Sequence, residues 1–144
     1  MENPAFRHSS GVRPRGRSPS PHTLRQRLDR AADLYLRDCY KRKTAARADE
    51  FARHLELTRQ YVARVSSGVL GVPLRDFLRE RQLRYAEQLL LTTSYSVVDI
   101  AAMSAFGTHP TFYRAFKAAY GMTPGHYRSR FRNEHRLPVR ESGR

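Results

Sequence analysis

The chain has 144 residues, 27 Lys and Arg against 13 Asp and Glu, a formal net charge of +14 and one cysteine. That length allows one domain with tails, and the charge points to a polyanionic partner, nucleic acid first, without separating DNA from RNA or an acidic membrane surface. The lone cysteine excludes an internal disulfide and a CxxC metal pair, no apolar run approaches the roughly 20 residues of a bilayer span, and Met1 to Ser10 lacks the apolar stretch of a signal peptide, so a cytoplasmic, nucleoid-associated protein is expected.

Residues 1–21 are rich in Arg, Ser, Pro and Gly and lack apolar periodicity. Such a segment cannot repay the entropy of ordering and is expected to be a disordered basic tail. It reads as a solvated leader in preference to an arm for an AT-rich minor groove. From His22 to about Lys43, residues Leu24, Leu28, Ala31, Ala32, Tyr35 and Cys39 recur at three and four, which predicts a helix. Cys39 lies on its apolar stripe. A methyl-accepting thiol is the enzymatic alternative, but free cysteine is usually a buried core residue and no second cysteine is present to activate it.

Thr44 to Glu56 predicts a short helix with Phe51, Ala52 and Leu55 inward. Leu57 and Thr58 make a turn and cap, and a second helix runs from Arg59 to about Leu70 with Val62 and Val65 inward. Arg59, Gln60, Ala63 and Arg64 then face out. His54 has no metal-spaced partner and reads as a surface residue. Gly71 ends that helix and Pro73 opens the next. A long helix from Leu74 to about Thr93 follows Phe77, Leu78, Leu83, Ala86, Leu89 and Leu90. About 20 residues span about 30 Å, close to the 34 Å between successive major-groove faces on one side of a duplex. Arg75, Arg79, Arg81 and Arg84 either touch phosphates or pair with Asp76, Glu80 and Glu87.

Ser96 and Asp99 make an S-x-x-D capping box ahead of Val97, Ile100, Ala101 and Met103 at helical spacing. Ala101 and Ala102 are small enough for two helices to cross closely. Phe106 and Gly107 break this helix, Thr108 caps the next, and Pro110 is tolerable in its first turn. Phe112, Phe116 and Tyr120 share one face. His109, Thr111, Tyr113, Arg114 and Lys117 lie on the other. Gly121 is a left-handed stop, and Thr123-Pro124 opens a last short helix through Tyr127 to about Phe131. His126 and Arg130 are candidate phosphate contacts, and residues 133–144 read as a flexible tail.

The pattern occurs twice. Thr58, Val62, Arg64, Gly71 and Phe77 match Thr108, Phe112, Arg114, Gly121 and Tyr127, each pair fifty residues apart, and Ala52 matches Ala101 with one residue fewer. One supersecondary unit is used twice, with an extra residue in the second turn. The fold expected is all-α: two helix-turn-helix units, about 44–71 and 96–121, joined by a linker helix of about 73–93 within a domain of 22–132, about seven helices in all.

These residues also carry a family resemblance. Arg81 to Leu90, Ile100-Ala101, Phe106, Phe112, Arg114, Phe116-Lys117, Gly121, Thr123-Pro124 and Tyr127-Arg128 resemble the DNA-binding domain of the AraC/XylS regulators, over about residues 44–130. Ser66 stands where the family usually has Phe, and Glu56 and Ala105 where glycine is common. The resemblance implies a bacterial transcription regulator that needs no cofactor. Its partner would be double-stranded DNA, with RNA polymerase as a further candidate, bound as a monomer or weak dimer.

Arg suits guanine and Gln suits adenine because each can make two hydrogen bonds to one base edge, although either can hold a phosphate instead. The candidate DNA-binding residues are therefore Arg59, Gln60 and Arg64 in the first unit and His109, Thr111, Tyr113, Arg114 and Lys117 in the second. Arg64 and Arg114 are the leading base readers, while Arg59 suits a phosphate better. Specific regulation competes with non-specific or architectural DNA binding. An enzyme is poorly supported: the sequence offers no acidic metal cluster, no Gly-rich phosphate loop and no Ser/His/Asp set.

Overall fold

The computed structural model describes residues 20–135; residues 1–19 and 136–144, which hold most of the expected leader and tail, lie outside them. Among the described residues there are seven α-helices and no strand: α1 Pro21–Arg42, α2 Ala48–His54, α3 Arg59–Val65, α4 Leu74–Thr92, α5 Val97–Met103, α6 His109–Tyr120 and α7 Pro124–His135. A π-helical turn, Ser66–Leu70, continues α3. No helix among these residues is long and apolar enough to cross a membrane.

The chain divides into two compact units. Among the described residues, one holds 20–38 together with Ala46–Arg79; the other holds Cys39–Ala45 and 80–135, so α4 contributes to both. In the first unit α1 buries Leu24, Leu28, Ala32, Tyr35 and Leu36. Leu36 was not on the expected stripe, and Ala31, which was, is only half-buried. Tyr35 meets Phe51 in a tilted pair with centroids 5.2 Å apart, and its hydroxyl accepts the Arg47 N–H at 3.1 Å. That contact fixes the extended Arg47 as the residue before α2, which explains why α2 starts at Ala48 and not at Thr44.

Side-chain caps lie where the sequence places them. Thr58 Oγ1 accepts from Tyr61 N at 3.1 Å, Ser96 Oγ from Asp99 N at 3.0 Å and Thr123 Oγ1 from His126 N at 3.1 Å. Each occupies one backbone donor that a helix start leaves unpaired. The helix ends are less regular. α5 stops at Met103, ahead of the Phe106-Gly107 break expected from sequence, because Ala105 turns left-handed at φ 64°. Phe106 N–H then bonds the Ala101 carbonyl (3.1 Å) and Ala105 N–H that of Ala102 (3.2 Å). Glu56, at φ 59°, does the same after α2, with Leu57 N–H on Ala52 (3.0 Å) and Glu56 N–H on Arg53 (2.9 Å). Both are Schellman caps whose left-handed residue carries a side chain. The last helix also exceeds expectation, running to His135 where Phe131 was expected.

The π turn has a visible cause. At the position where Phe116 enters the second core, the first unit has Ser66. A serine offers no apolar surface, so Val65 takes the buried place instead. Widening the helix to i→i+5 bonding then brings Leu70, five residues on, back to the same buried side.

The exposed Glu56 cap gives a test of this account. Glu56→Gly removes a left-handed side chain that clashes with its own backbone. It is expected to raise stability by about 0.5–1 kcal/mol in urea unfolding, after the extra chain entropy of glycine. Glu56→Ala, still left-handed and still carrying a Cβ, should show no such gain.

Candidate nucleic-acid interface

The second unit supplies the clearer half of the surface. Ile100, Ala101, Phe106, Phe112 and Phe116 form its core with Leu83, Ala86, Leu89 and Leu90 of α4. Phe112 lies 5.1 Å from Phe106 and 5.6 Å from Phe116, ring to ring, and Phe116 meets Tyr120 at 4.3 Å and Tyr127 at 5.3 Å. One face of α6 is therefore gripped along its length, and the opposite face is presented outward. There Tyr113, Arg114 and Lys117 are exposed, while His109 and Thr111 are half-buried. The His109 and Tyr113 rings stand 5.8 Å apart. Thr111 is tied into the helix start: its backbone N–H donates to Thr108 Oγ1 at 3.3 Å, and its own hydroxyl accepts from Thr108 at 2.9 Å.

In the first unit Arg59, Gln60 and Arg64 are all exposed on α3. Neither α3 and its π turn nor α6 contains an acidic residue. Among the described residues, Arg59, Arg64, Arg114 and Lys117 form no ion pair; the acids are committed elsewhere, as in Arg25–Asp29 (3.3 Å), Arg53–Asp49 (3.4 Å) and Arg84–Glu80 (2.7 Å). Of the α4 arginines, Arg75 pairs with Asp76 at 3.6 Å and Arg84 with Glu80, the ion-pairing alternative of the two. Arg79 is half-buried, and Arg81 is half-buried and already partnered. His126 and Arg130 are exposed on α7. Cys39 is 1% exposed, a core residue. No group of three or more His, Cys, Asp or Glu among the described residues could hold a metal.

Three positioning residues escaped the sequence. Gln82, buried on α4, donates from Nε2 to the carbonyls of Ser104 (3.1 Å) and Ala105 (2.9 Å), pinning the turn between α5 and α6. Glu87 forms no ion pair with an α4 arginine. Its carboxylate accepts the Tyr120 hydroxyl at 3.0 Å and the Tyr127 hydroxyl as well. Arg128 reaches from α7 to the Leu90 carbonyl (3.0 Å) and the Thr93 carbonyl (3.2 Å), neutralising the negative end of α4. Burial, and then the charge of Arg132, hold this guanidinium below its usual pKa. A 3.6-residue periodicity reads Gln82 and Glu87 simply as polar helix positions, and only their neighbours reveal otherwise.

The family model described as "Helix-turn-helix domain" matches residues 51–130, more than half of the chain. The chain belongs to the AraC-type helix-turn-helix family. It is 35% identical over 80 residues to the transcriptional activator AarP of Providencia stuartii, covering 56% of this chain and 59% of AarP. It is 32% identical over 80 residues to the TetD protein of transposon Tn10 from Escherichia coli, covering 56% and 58%. The match thus spans less than two thirds of these relatives. Among solved structures, the DNA-binding domain of AdpA in complex with a target DNA matches with a TM-score of 0.62 at 22% identity, over 75% of this chain and 95% of that one. An AraC-type regulator from Chromobacterium violaceum matches at 0.60 and 24%, over 77% and 96%. These structures share the AraC-type fold of seven helices. The family is one of transcription regulators, not enzymes.

Two measurements test the scaffold of this AraC-type surface. Gln82→Met, similar in length, strips the Ser104 and Ala105 carbonyls of their donor and is expected to cost about 1–3 kcal/mol in urea unfolding; an unchanged midpoint would show that the turn does not rely on it. The second is a pH dependence. Burial, then the bond to Glu87, pushes the Tyr127 hydroxyl up to about 12, and burial, then the Glu87 charge, raises Tyr120 further. Unfolded tyrosine titrates near 10, so the folded chain keeps these protons longer. Their stabilisation is intact below about pH 10 and lost as pH rises towards 12. Urea midpoints between about pH 8 and 11 should fall, and fall less steeply in Tyr127→Phe.

Proposed function

We propose that this chain is a sequence-specific transcription regulator that lays α3 and α6 in successive major-groove segments of one asymmetric DNA site. The observation that carries this reading is the pair Arg64 and Arg114. They stand fifty residues apart at matched positions of two helix-turn-helix units, both exposed and, among the described residues, neither ion-paired. A recognition helix needs such a side chain, because an arginine free of internal partners can make two hydrogen bonds to a guanine edge. The length of α4 supports the spacing: 19 residues rise about 28 Å, near the roughly 34 Å repeat of the groove. The target DNA bound by the structurally similar AdpA domain supports the class of partner.

The roles divide by chemistry. Arg64 and Arg114 read bases, with Gln60 beside Arg64 suited to adenine. Arg59 and Lys117 hold phosphates. Tyr113 lies against a thymine methyl or a sugar, and His109 stands beside it, its ring tilted. Thr111, its hydroxyl engaged by Thr108, acts through the helix start and its methyl group. The two recognition helices differ in sequence, so the site is not a palindrome and one polypeptide fills it. Activation through RNA polymerase is the regulatory reading that the activator AarP suggests.

Selection from random duplexes should enrich a two-part motif with no internal symmetry. On that duplex Arg114→Ala and Arg64→Ala should each lose about 1–3 kcal/mol and relax preference at one base pair. Lys117→Ala should weaken all duplexes alike and lower the salt slope by about one. Recovery of no motif would leave a non-specific binder.

A further inference from the structure

The two units repeat in sequence but not in packing. In the second, Phe112 and Phe116 are buried to 0% exposure and α6 runs unbroken for 12 residues. In the first, the matched positions are Val62 and Ser66, both half-buried, and the α-helix gives way to the π turn after seven residues. An open apolar groove of about 420 Å³ remains beside them, lined by Val62, Ala63, Ser66, Val72, Pro73 and Leu74. Two further features loosen the same stretch. Ser67 Oγ bonds back to the Ala63 carbonyl at 3.2 Å, competing with the helical ladder. Gly68, exposed, carries the largest entropic cost of any ordinary residue in a helix, and a Cβ there would meet nothing within 4 Å, so no packing demands the glycine.

Discrimination between bases depends on a side chain that cannot re-aim. A rigid helix facing a wrong base leaves its donor unpaired, whereas a helix that shifts slightly finds a phosphate or a neighbouring base instead. Segments with few apolar contacts and exposed backbone bonds open at low free-energy cost. We propose that the Ser66–Leu70 turn makes the first recognition helix adaptable, so that the chain reads its first half-site loosely and its second strictly, with Ser66 and Gly68 setting the difference. This rests on the two-groove reading above.

The test uses the full chain and its selected duplex, with every base pair of each half substituted singly and affinity followed by fluorescence anisotropy. Substitutions under α6 should weaken binding about tenfold or more, and those under α3 about threefold or less. Gly68→Ala, which adds helix propensity without a clash, should raise the first-half penalties at least about threefold and leave the second half unchanged. Ser66→Phe should do the same, and where it fails to fold, Gly68→Ala carries the test alone. Amide exchange at 66–70 should be faster than along α6 and should slow in Gly68→Ala. A two-part motif with equal penalties in both halves, or first-half penalties unmoved by Gly68→Ala, overturns the inference and leaves the function reading standing. A selection that returns no two-part motif overturns both.

Discussion

A helix can offer a row of cations to a polyanion only if its other side is held firmly enough to resist their mutual repulsion. In the second unit that grip is aromatic. Phe106, Phe112, Phe116, Tyr120 and Tyr127 form a continuous run of ring contacts between 4.3 and 5.6 Å. Rings of this size bury much area at little rotamer cost, and their tilted and edge-on arrangements add attraction beyond area. Glu87 locks the polar ends of two of them. With Phe112 and Phe116 fixed inward, the α-helical period leaves Tyr113, Arg114 and Lys117 nowhere to go but outward.

Charge is distributed on the same principle. The chain carries 13 acidic residues, yet none lies on α3, its π turn or α6. Eight of them lie on α1, α2 and α4, where i,i+4 pairs such as Arg53–Asp49 and Arg84–Glu80 neutralise local arginines at the surface. Exposed pairs of this kind add little stability. Their effect is to decide which arginines stay uncompensated, and those left without a partner include Arg59, Arg64 and Arg114. Net charge alone attracts a duplex from a distance; only this partition favours α3 and α6 over the other helices.

What sequence reading could recover was governed by how local the chemistry is. Thr58, Ser96, Thr108 and Thr123 cap their helices through hydroxyls three residues from their partners, so a short window contains the whole interaction. The aromatic face of α6 follows from a period of four. At Glu56 and Ala105 the family resemblance marks a place where glycine is common, but the residues themselves carry no such signal; backbone bonds back into α2 and α5 close these left-handed ends. Gln82 bonds a turn 22 and 23 residues away, and Glu87 bonds tyrosines 33 and 40 residues on, so no window around either residue shows its partner. The π turn was hidden for a different reason: it answers a ring that is missing at Ser66, and a missing neighbour leaves no period behind.

A loosely packed reader would be a poor DNA-binding protein by itself, but it is not by itself. α4 runs without interruption from one unit into the next, so on the two-groove reading proposed above the two recognition helices are tethered to each other. Tethering of this kind supplies an effective concentration that short links can bring to the millimolar range. Affinity that α3 could not reach alone is then unnecessary. The energetic requirement on the first unit falls from choosing a site to confirming one, and an adaptable helix suffices for that. On that reading the stiff aromatic core is needed only once, in the unit that would select, and the Ser66 departure from the pattern is tolerated because Phe112 and Phe116 are present fifty residues later.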